Sequence, residues 1–257
     1  MKENHNNMED RLESDRALHE WFATPLGRSW QAAKVWHLRK VLPRLFGTAA
    51  LQIGCTGGVD LLDSCVIPSR IHYGLRRHNA SNFVRGIPEA LPFDAKSIDV
   101  VLMPHTLDFT HDPHQVLREV QRVLSPDGHV VIIGFNPLSL WGAWRMLPFI
   151  KRHIPWNGLF LSLFRLKDWL RLLDFEATQG AMFFYRPPFS KEGLMSRLYF
   201  LDKIGDRWWP MTAAGYILVA KKRVLGVTPL RPDWEKNGIK NREAVSHGAT
   251  RGVIHHG

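Results

Sequence analysis

A glycine-rich loop is the first place in this sequence where residue types and spacing indicate ligand chemistry. Residues 51–53 form a short predicted strand, and the loop follows at once as Gly54, Cys55, Thr56, Gly57 and Gly58. Glycines remove side chains where a ligand must approach backbone N–H groups at the end of a strand. The loop therefore predicts a binding site, although a purely structural turn after a strand has a similar composition.

A histidine at the end of another predicted strand is the candidate catalytic side chain. His105 follows the run of β-branched residues at 98–103, and it either faces a reacting group or caps the strand end in a polar turn. His111 and His114 flank Asp112, but Asp112 precedes a proline and is the better helix N-cap. Because no fourth ligand has suitable spacing, the sequence predicts no metal site.

Strands and helices alternate along the chain, and this alternation must position both features. Amphipathic spacing predicts helices at residues 24–46, 113–124 and 166–173, and Cys65 is expected in a helix that follows the glycine loop. Apolar and β-branched runs predict strands at residues 51–53, 71–73, 82–84, 98–103, 130–135, 175–185 and 214–220. The pattern is typical of an α/β protein with an open, mostly parallel sheet and helices on both faces. Only residues 75–82 join the second and third strands, and a parallel crossover usually needs a dozen or more, so we expect the sheet to be shortened there.

Four blocks, in order, carry a resemblance to a known family. They are residues 91–93 (LPF), 97–101 (SIDVV), 112–113 (DP) and 118–128 (REVQRVLSPDG). With the glycine loop they resemble the class I S-adenosylmethionine-dependent methyltransferases, in the subgroup of type 11-like, small-molecule methyltransferase domains. The segments 21–26 and 134–139 resemble one bacterial branch of that family, the YafS-like proteins. The resemblance implies a Rossmann-like sheet whose last strand is antiparallel.

The resemblance also implies a reaction, namely transfer of the methyl group of S-adenosylmethionine to a small-molecule acceptor. It places the cofactor against residues 54–58, with Arg76 at the ribose position, and with Ile87, Pro88 and Glu89 beside the adenine. His105 lies near the methyl group by the same resemblance. In this class the protein mainly aligns the acceptor, and a general base is optional.

The sequence departs from the family pattern at four cofactor positions. Gln52 stands for the acidic residue of the first strand, Thr56 for the middle glycine, Arg76 for the ribose carboxylate and Ile87 for the acidic residue near the adenine. A hydrogen bond to a charged partner contributes about 1.5–3 kcal/mol, so these losses predict weakened cofactor binding. They leave an alternative open, a binding or regulatory protein that kept the fold and lost the activity.

Residues 137–173 form a basic, aromatic insertion after the fifth predicted strand. They hold six lysines and arginines, one acidic residue and seven aromatic side chains. This composition fits a lid over an apolar substrate, a surface for a membrane interface or a platform for nucleic-acid bases. A helical cover whose aromatics belong to the core fits equally well. The position of the insertion in the chain favours the lid among the three functional uses.

The composition is that of an ordinary globular protein with a basic surface. The chain has 257 residues, 45% of them hydrophobic, with a net charge of +10 and two cysteines, Cys55 and Cys65. No signal peptide, disulfide framework or spanning segment is evident, which predicts a cytoplasmic protein. Its charge attracts anionic lipid, nucleic acid or an acidic substrate without selecting among them. The predicted divisions are a helical extension (1–47), a methyltransferase-like domain (48–225) and a disordered basic tail (226–257).

Overall fold

A seven-stranded mixed sheet organises the protein. The computed structural model describes residues 2–77, 82–147, 154–188, 200–202, 205 and 209–223. The strands are β1 (Ala49–Ile53), β2 (Ser69–Gly74), β3 (Phe83–Arg85), β4 (Ile98–Pro104), β5 (Leu124–Phe135), β6 (Phe175–Phe183) and β7 (Gly215–Lys222). They are ordered β3-β2-β1-β4-β5-β7-β6, with β1 to β5 parallel and β7 antiparallel to both of its neighbours. The predicted Rossmann-like, mostly parallel sheet with an antiparallel last strand is confirmed.

Helices cover both faces of this sheet. Within the described residues they are α1 (Lys2–Ala23), α2 (Pro25–Val41), α3 (Pro113–Val123), α4 (Leu140–Arg145) and α5 (Leu163–Leu172), with short 3-10 turns at Leu42–Arg44 and Pro210–Thr212. The apolar sides of α3 and α5 pack on one face, in a cluster with Leu51, Ile53 and Val101. The apolar sides of α1 and α2 pack on the other face, in a cluster with Ala50 and Val100. The alternation of β1 and β4 residues between the two clusters follows from the two-residue period of a strand.

Local capping explains where α2 and α3 begin. The Thr24 hydroxyl accepts a hydrogen bond from the Gly27 N–H at 3.1 Å, and Pro25 occupies the first turn of α2. Asp112 accepts from the Gln115 N–H at 2.9 Å ahead of Pro113, which confirms it as the N-cap of α3. Helix α3 ends at Val123, one residue before the predicted end at 124, because Leu124 already begins β5.

The β1–β2 connection differs from the prediction. We expected a helix around Cys65, but residues 54–68 form turns. In this connection Leu62, Cys65 and Ile67 are buried in the same cluster as the apolar sides of α1 and α2. The two amino-terminal helices therefore cover the face that a crossover helix would otherwise cover. Residues 86–97, between β3 and β4, also lack a helix, so the sheet is shortened around β2 and β3 as expected.

Two predicted features, the basic tail and the insertion, lie wholly or partly outside the described residues. The basic tail at 226–257 lies outside the described residues, as do residues 148–153 of the insertion. Among the helices that the structure does describe, none combines the length and the apolar character needed to cross a bilayer.

Candidate functional site

A narrow cavity lies at the carboxyl ends of the parallel strands. It is walled by β1, β2 and β4 and by the segments after β2, β3 and β4, and its lining includes Gly54, Cys55, Gly74, Leu75, Gly86, Pro88, Pro104, His105, Thr106, Phe109 and Thr110. The backbone of Gly54 has a φ of +103°, and a Cβ there would meet the Thr106 Oγ1 at 2.8 Å. Ligands of open α/β sheets bind at this edge, and the bare glycines allow a ligand to approach the backbone closely.

Helix α1 closes the cavity from above. Arg11, Ser14, Asp15 and Leu18 complete its lining, and their spacing of three and four residues puts them on one face of the helix. The enclosed free space is about 70 Å³, whereas pockets for drug-sized ligands hold roughly 300–1,000 Å³. The polar groups and glycines of the cavity suit a nucleoside cofactor, and the free space beneath α1 is smaller than such a ligand.

An ion pair holds α1 in this position. Arg11 donates to a Glu89 Oε at 2.7 Å, and Thr110 donates to the other carboxylate oxygen at 2.5 Å. Burial would raise the pKa of Glu89, but these hydrogen bonds outweigh it and lower the pKa below its ordinary value. Glu89, predicted to lie beside the adenine, thus stays ionised and binds α1.

Some residues of the glycine loop line the cavity, and the others contact the amino-terminal helices. Gly54 and Cys55 line the cavity. The carbonyl of Thr56 accepts a hydrogen bond from the Gln31 side chain of α2, and a Cβ at Gly57 would collide with Phe22 of α1. Gly58 also lies beside α1, where a Cβ would sit 3.7 Å from the His19 ring. Two residues of the predicted loop therefore face the cavity, and the other three contact the helices that cover it.

The Cys55 thiol is kept neutral. Burial, and then the negative charge of Asp15, raise its pKa to about 12. A thiol with such a pKa is not a nucleophile near neutral pH. Cys55 therefore contributes a small, buried side chain to the wall of the cavity.

His105 sits in a buried polar network beneath the cavity. Its side chain is fully buried, and its ring stacks on Phe135 at 4.3 Å between centroids. Its Nε2 lies 3.1 Å from the Trp30 indole nitrogen, and its Nδ1 lies 2.9 Å from an Asp108 carboxylate oxygen. Because the indole N–H can only donate, Nε2 accepts, and the imidazole proton is assigned to Nδ1, which donates to Asp108. Both ring nitrogens are thereby engaged within the protein.

Burial controls the protonation of this network. It lowers the pKa of His105 well below the ordinary value, and the nearby positive charge of Lys34 lowers it further. Burial likewise raises the pKa of Asp108 well above its ordinary value. The imidazole is therefore neutral, and the backbone at His105, with a φ of +58°, holds a left-handed conformation that a packed environment must maintain.

Lys34 of α2 is unusual because its amine is completely buried. Its side chain is 0% exposed, and its Nζ lies 4.5 Å from the centroid of the Phe22 ring. The Nζ has no hydrogen-bond partner among the described residues. Burial lowers its pKa to about 7 from 10.5, so the amine loses much of its charge near neutral pH.

Arg76, predicted at the ribose position, lies outside the cavity. It lines a neighbouring open groove together with Leu12, Glu13, Arg16, Leu75, Arg77, Phe83 and Arg85. Of the predicted adenine neighbours, Pro88 lines the cavity, whereas the Ile87 carbonyl accepts from the Tyr73 hydroxyl at 3.0 Å. Across the described ranges no cluster of three His, Cys, Asp or Glu side chains could hold a metal.

Comparison with known proteins gives the family. Residues 51–132 match the methyltransferase domain model. The Escherichia coli protein YafS is 32% identical over 231 residues, which cover 90% of this chain and 91% of YafS. The chain belongs to the YafS family. This YafS-family protein is also 36% identical to the phthiotriol/phenolphthiotriol dimycocerosates methyltransferase of Mycobacterium leprae over 104 residues, covering 38% of this chain and 36% of that enzyme.

A solved structure shows the same fold. A SAM-dependent methyltransferase from Thermotoga maritima superposes with a TM-score of 0.56 at 18% identity, covering 79% of this chain and 93% of that one. The domain match and the fold together make the YafS-family protein a methyltransferase of the S-adenosylmethionine-dependent class. Both resemblances stated from the sequence, to the class and to its YafS-like branch, are confirmed.

The contribution of α1 to the cavity was not predicted from the sequence. Arg11, Ser14, Asp15 and Leu18 were not predicted as site residues, although their spacing is that of one helical face. Because three of these four side chains are polar, no apolar periodicity marks this face of α1 in the sequence.

Proposed function

We propose that this protein transfers the methyl group of S-adenosylmethionine to a small apolar acceptor. The observation that carries the proposal is the cavity at the carboxyl edge of β1, β2 and β4, which has bare glycine backbone on its floor and polar side chains around it. The sulfonium of the cofactor supplies the activated methyl group, so the protein has to bind, orient and exclude water.

Several of the predicted residues have positions that suit the nucleoside. Gly54 and Cys55 offer backbone at the end of β1, while Gly86 and Pro88 offer an apolar edge after β3. Glu89 acts through Arg11, because its carboxylate already binds that guanidinium. The remaining loop residues, Thr56 to Gly58, act indirectly by docking α1 and α2 against the site.

His105 is proposed as a positioning residue. Its two ring nitrogens join the end of β4 to Trp30 of α2 and to Asp108, and Asp108 also accepts from the Phe135 N–H at 3.2 Å. These bonds fix the floor of the cavity. An acceptor that loses its proton to water, or that reacts without losing one, needs no further base from the protein.

An exposed apolar segment supports an apolar acceptor. Leu138, Leu140 and Met146 are 58%, 59% and 83% exposed, and they lie in and beside α4, directly after the carboxyl end of β5. Trp141 and Trp156 of the same insertion are buried and only 5.0 Å apart between ring centroids. The insertion thus presents apolar side chains on a fixed base, on the carboxyl side of the sheet. The Mycobacterium leprae relative is named as a methyltransferase of phthiotriol/phenolphthiotriol dimycocerosates, which agrees with an apolar acceptor.

The setting of the reaction is proposed to be the cytoplasm. Both cysteines, Cys55 and Cys65, are free and buried, which agrees with a reducing compartment.

A transfer assay tests the proposal. The purified full chain is incubated with S-adenosylmethionine and with either the organic or the aqueous phase of a bacterial cell extract, and S-adenosylhomocysteine is measured. We expect product formation that depends on the organic phase and that falls when Met146 and Leu140 are both changed to serine. Product formation that depends only on the aqueous phase would overturn the apolar acceptor. No product with either phase, from protein that binds the cofactor, would favour the binding or regulatory alternative.

A further inference from the structure

We propose that Asp15 of helix α1 binds the ribose hydroxyls of the cofactor and so replaces the carboxylate that position 76 lacks. This inference rests on the proposed function, because it assigns a residue of the same site. It identifies α1 as part of the binding site as well as its cover.

The placement of Asp15 is the first support. Its side chain lines the cavity with Gly54 and Cys55 at the end of β1 and with Gly74 at the end of β2. Its negative charge contributes to the raised pKa of the Cys55 thiol, which agrees with a carboxylate close to that loop. The ends of these two neighbouring strands are the place where a nucleoside lies in open α/β sheets.

The two faces of α1 separate Asp15 from Arg76. Arg11, Ser14, Asp15 and Leu18 face the cavity, whereas Leu12, Glu13 and Arg16 face the open groove that Arg76 lines. The guanidinium of Arg76 carries only donors, and a ribose diol needs an acceptor for its two O–H groups. The cavity therefore holds a carboxylate from α1, whereas Arg76, in the segment after β2, lies outside it.

Contacts on both sides fix the position of Asp15. One turn before it, Arg11 binds Glu89 at 2.7 Å. One turn after it, Leu18 and then Phe22 are buried in the core cluster. A carboxylate held between two such contacts loses little further freedom on binding a ligand, which favours affinity.

Isothermal titration of the full chain tests the assignment with two ligands. S-adenosylhomocysteine carries both the ribose and the amino-acid group, whereas 5′-methylthioadenosine carries the ribose but lacks the amino-acid group. We expect Asp15→Asn, which keeps the shape and removes the charge, to weaken both ligands by about 10- to 100-fold. The matched control is Asp10→Asn, an exposed carboxylate of the same helix, which should change neither affinity. Circular dichroism confirms that each variant is folded.

The other outcomes are distinct. If Asp15→Asn weakens S-adenosylhomocysteine but not methylthioadenosine, the carboxylate binds the amino-acid end and the ribose assignment is wrong. If it weakens neither ligand while the parent protein binds both, the inference fails and the proposed function stands. If the parent protein binds neither ligand at millimolar concentration, the proposed function itself fails.

Discussion

The two faces of the sheet are covered in different ways. On one face, every buried residue of α3 and α5 is apolar, and both helices come from segments between the strands they cover. On the other face, α2 buries Gln31 and Lys34 beside its apolar residues, and α1 and α2 precede the first strand, although Trp141 of α4 is buried in the same cluster. Buried polar groups cost stability unless they are satisfied. The difference indicates that the α3/α5 face mainly stabilises the fold, whereas the α1/α2 face also carries the site.

The largest expected effect is the loss of stability when one core residue of each face is truncated. Trp30→Ala should lower the free energy of unfolding by about 3–5 kcal/mol, and Leu117→Ala by about 2–5 kcal/mol. Trp30 packs within 4.8–5.1 Å of four aromatic rings and donates to His105. Leu117 is a fully buried residue of α3. Urea unfolding measures both values.

Cofactor affinity distinguishes these two variants. In the folded protein, Trp30→Ala should also weaken S-adenosylhomocysteine, because it releases His105 at the floor of the cavity, whereas Leu117→Ala should not. The control Trp36→Ala, on the exposed side of α2, should change stability by less than about 1 kcal/mol. Equal losses of affinity in the Trp30 and Leu117 variants would remove the functional difference between the faces.

Replacing the buried amine of α2 should stabilise the protein. Lys34→Met keeps a similar length and removes a charge without a hydrogen-bond partner in the described part of the chain. Replacing buried ionic groups by apolar ones often adds about 1–4 kcal/mol of stability. Chemical denaturation at pH 6.5 should show such a gain, and Lys40→Met, on the exposed surface over Trp36, should show none. A loss of stability in Lys34→Met would mean that the amine has a favourable partner.

The same amine predicts a pH dependence. Its pKa is about 7 in the folded protein and 10.5 in the unfolded chain, so the unfolded chain binds more protons between these values. The contribution of Lys34 to stability therefore rises with pH from 7 to 10.5. Lys34→Met should lack this rise, and the advantage of the variant should shrink as the pH increases.

A smaller effect is expected at the contact that holds α1. Arg11→Gln removes a largely buried ion pair with Glu89, with exposed fractions of 14% and 11%. It should cost about 1 kcal/mol and speed release of S-adenosylhomocysteine in stopped-flow measurements. Arg16→Gln, which removes a pair with exposed fractions of 71% and 63%, should cost only a few tenths of a kcal/mol. Unchanged release in Arg11→Gln would show that this ion pair does not control access.

The sequence predicts the α3/α5 face well because that face is local. The β-branched run of β4, the Asp112 cap of α3 and the apolar run of β5 each encode their element within a few residues. Strands β4 and β5 pair residues about 29 positions apart in the chain, with α3 between them. Local encoding also holds for the glycine loop after β1, where Gly54, Gly57 and Gly58 all have a positive φ, a backbone conformation that favours glycine.

The α1/α2 face was predicted less completely because it is assembled from distant segments. The missing helix near Cys65 reflects this, since α1 and α2 already cover the surface on which it would pack. The positions of Arg76 and Asp15 depend on how α1 crosses the strand ends, a contact between residues about sixty apart in the chain. The cavity-facing side of α1 is mostly polar, so only the tertiary structure shows that it belongs to the site.

Hydrogen–deuterium exchange with and without saturating S-adenosylhomocysteine tests the central claim most directly. If the cofactor binds in the cavity beneath α1, amides in residues 8–23 and at the end of β1 should exchange more slowly with the ligand, whereas those of α3 should not change. Exchange in α1 that is the same with and without bound ligand would contradict a cofactor site beneath that helix.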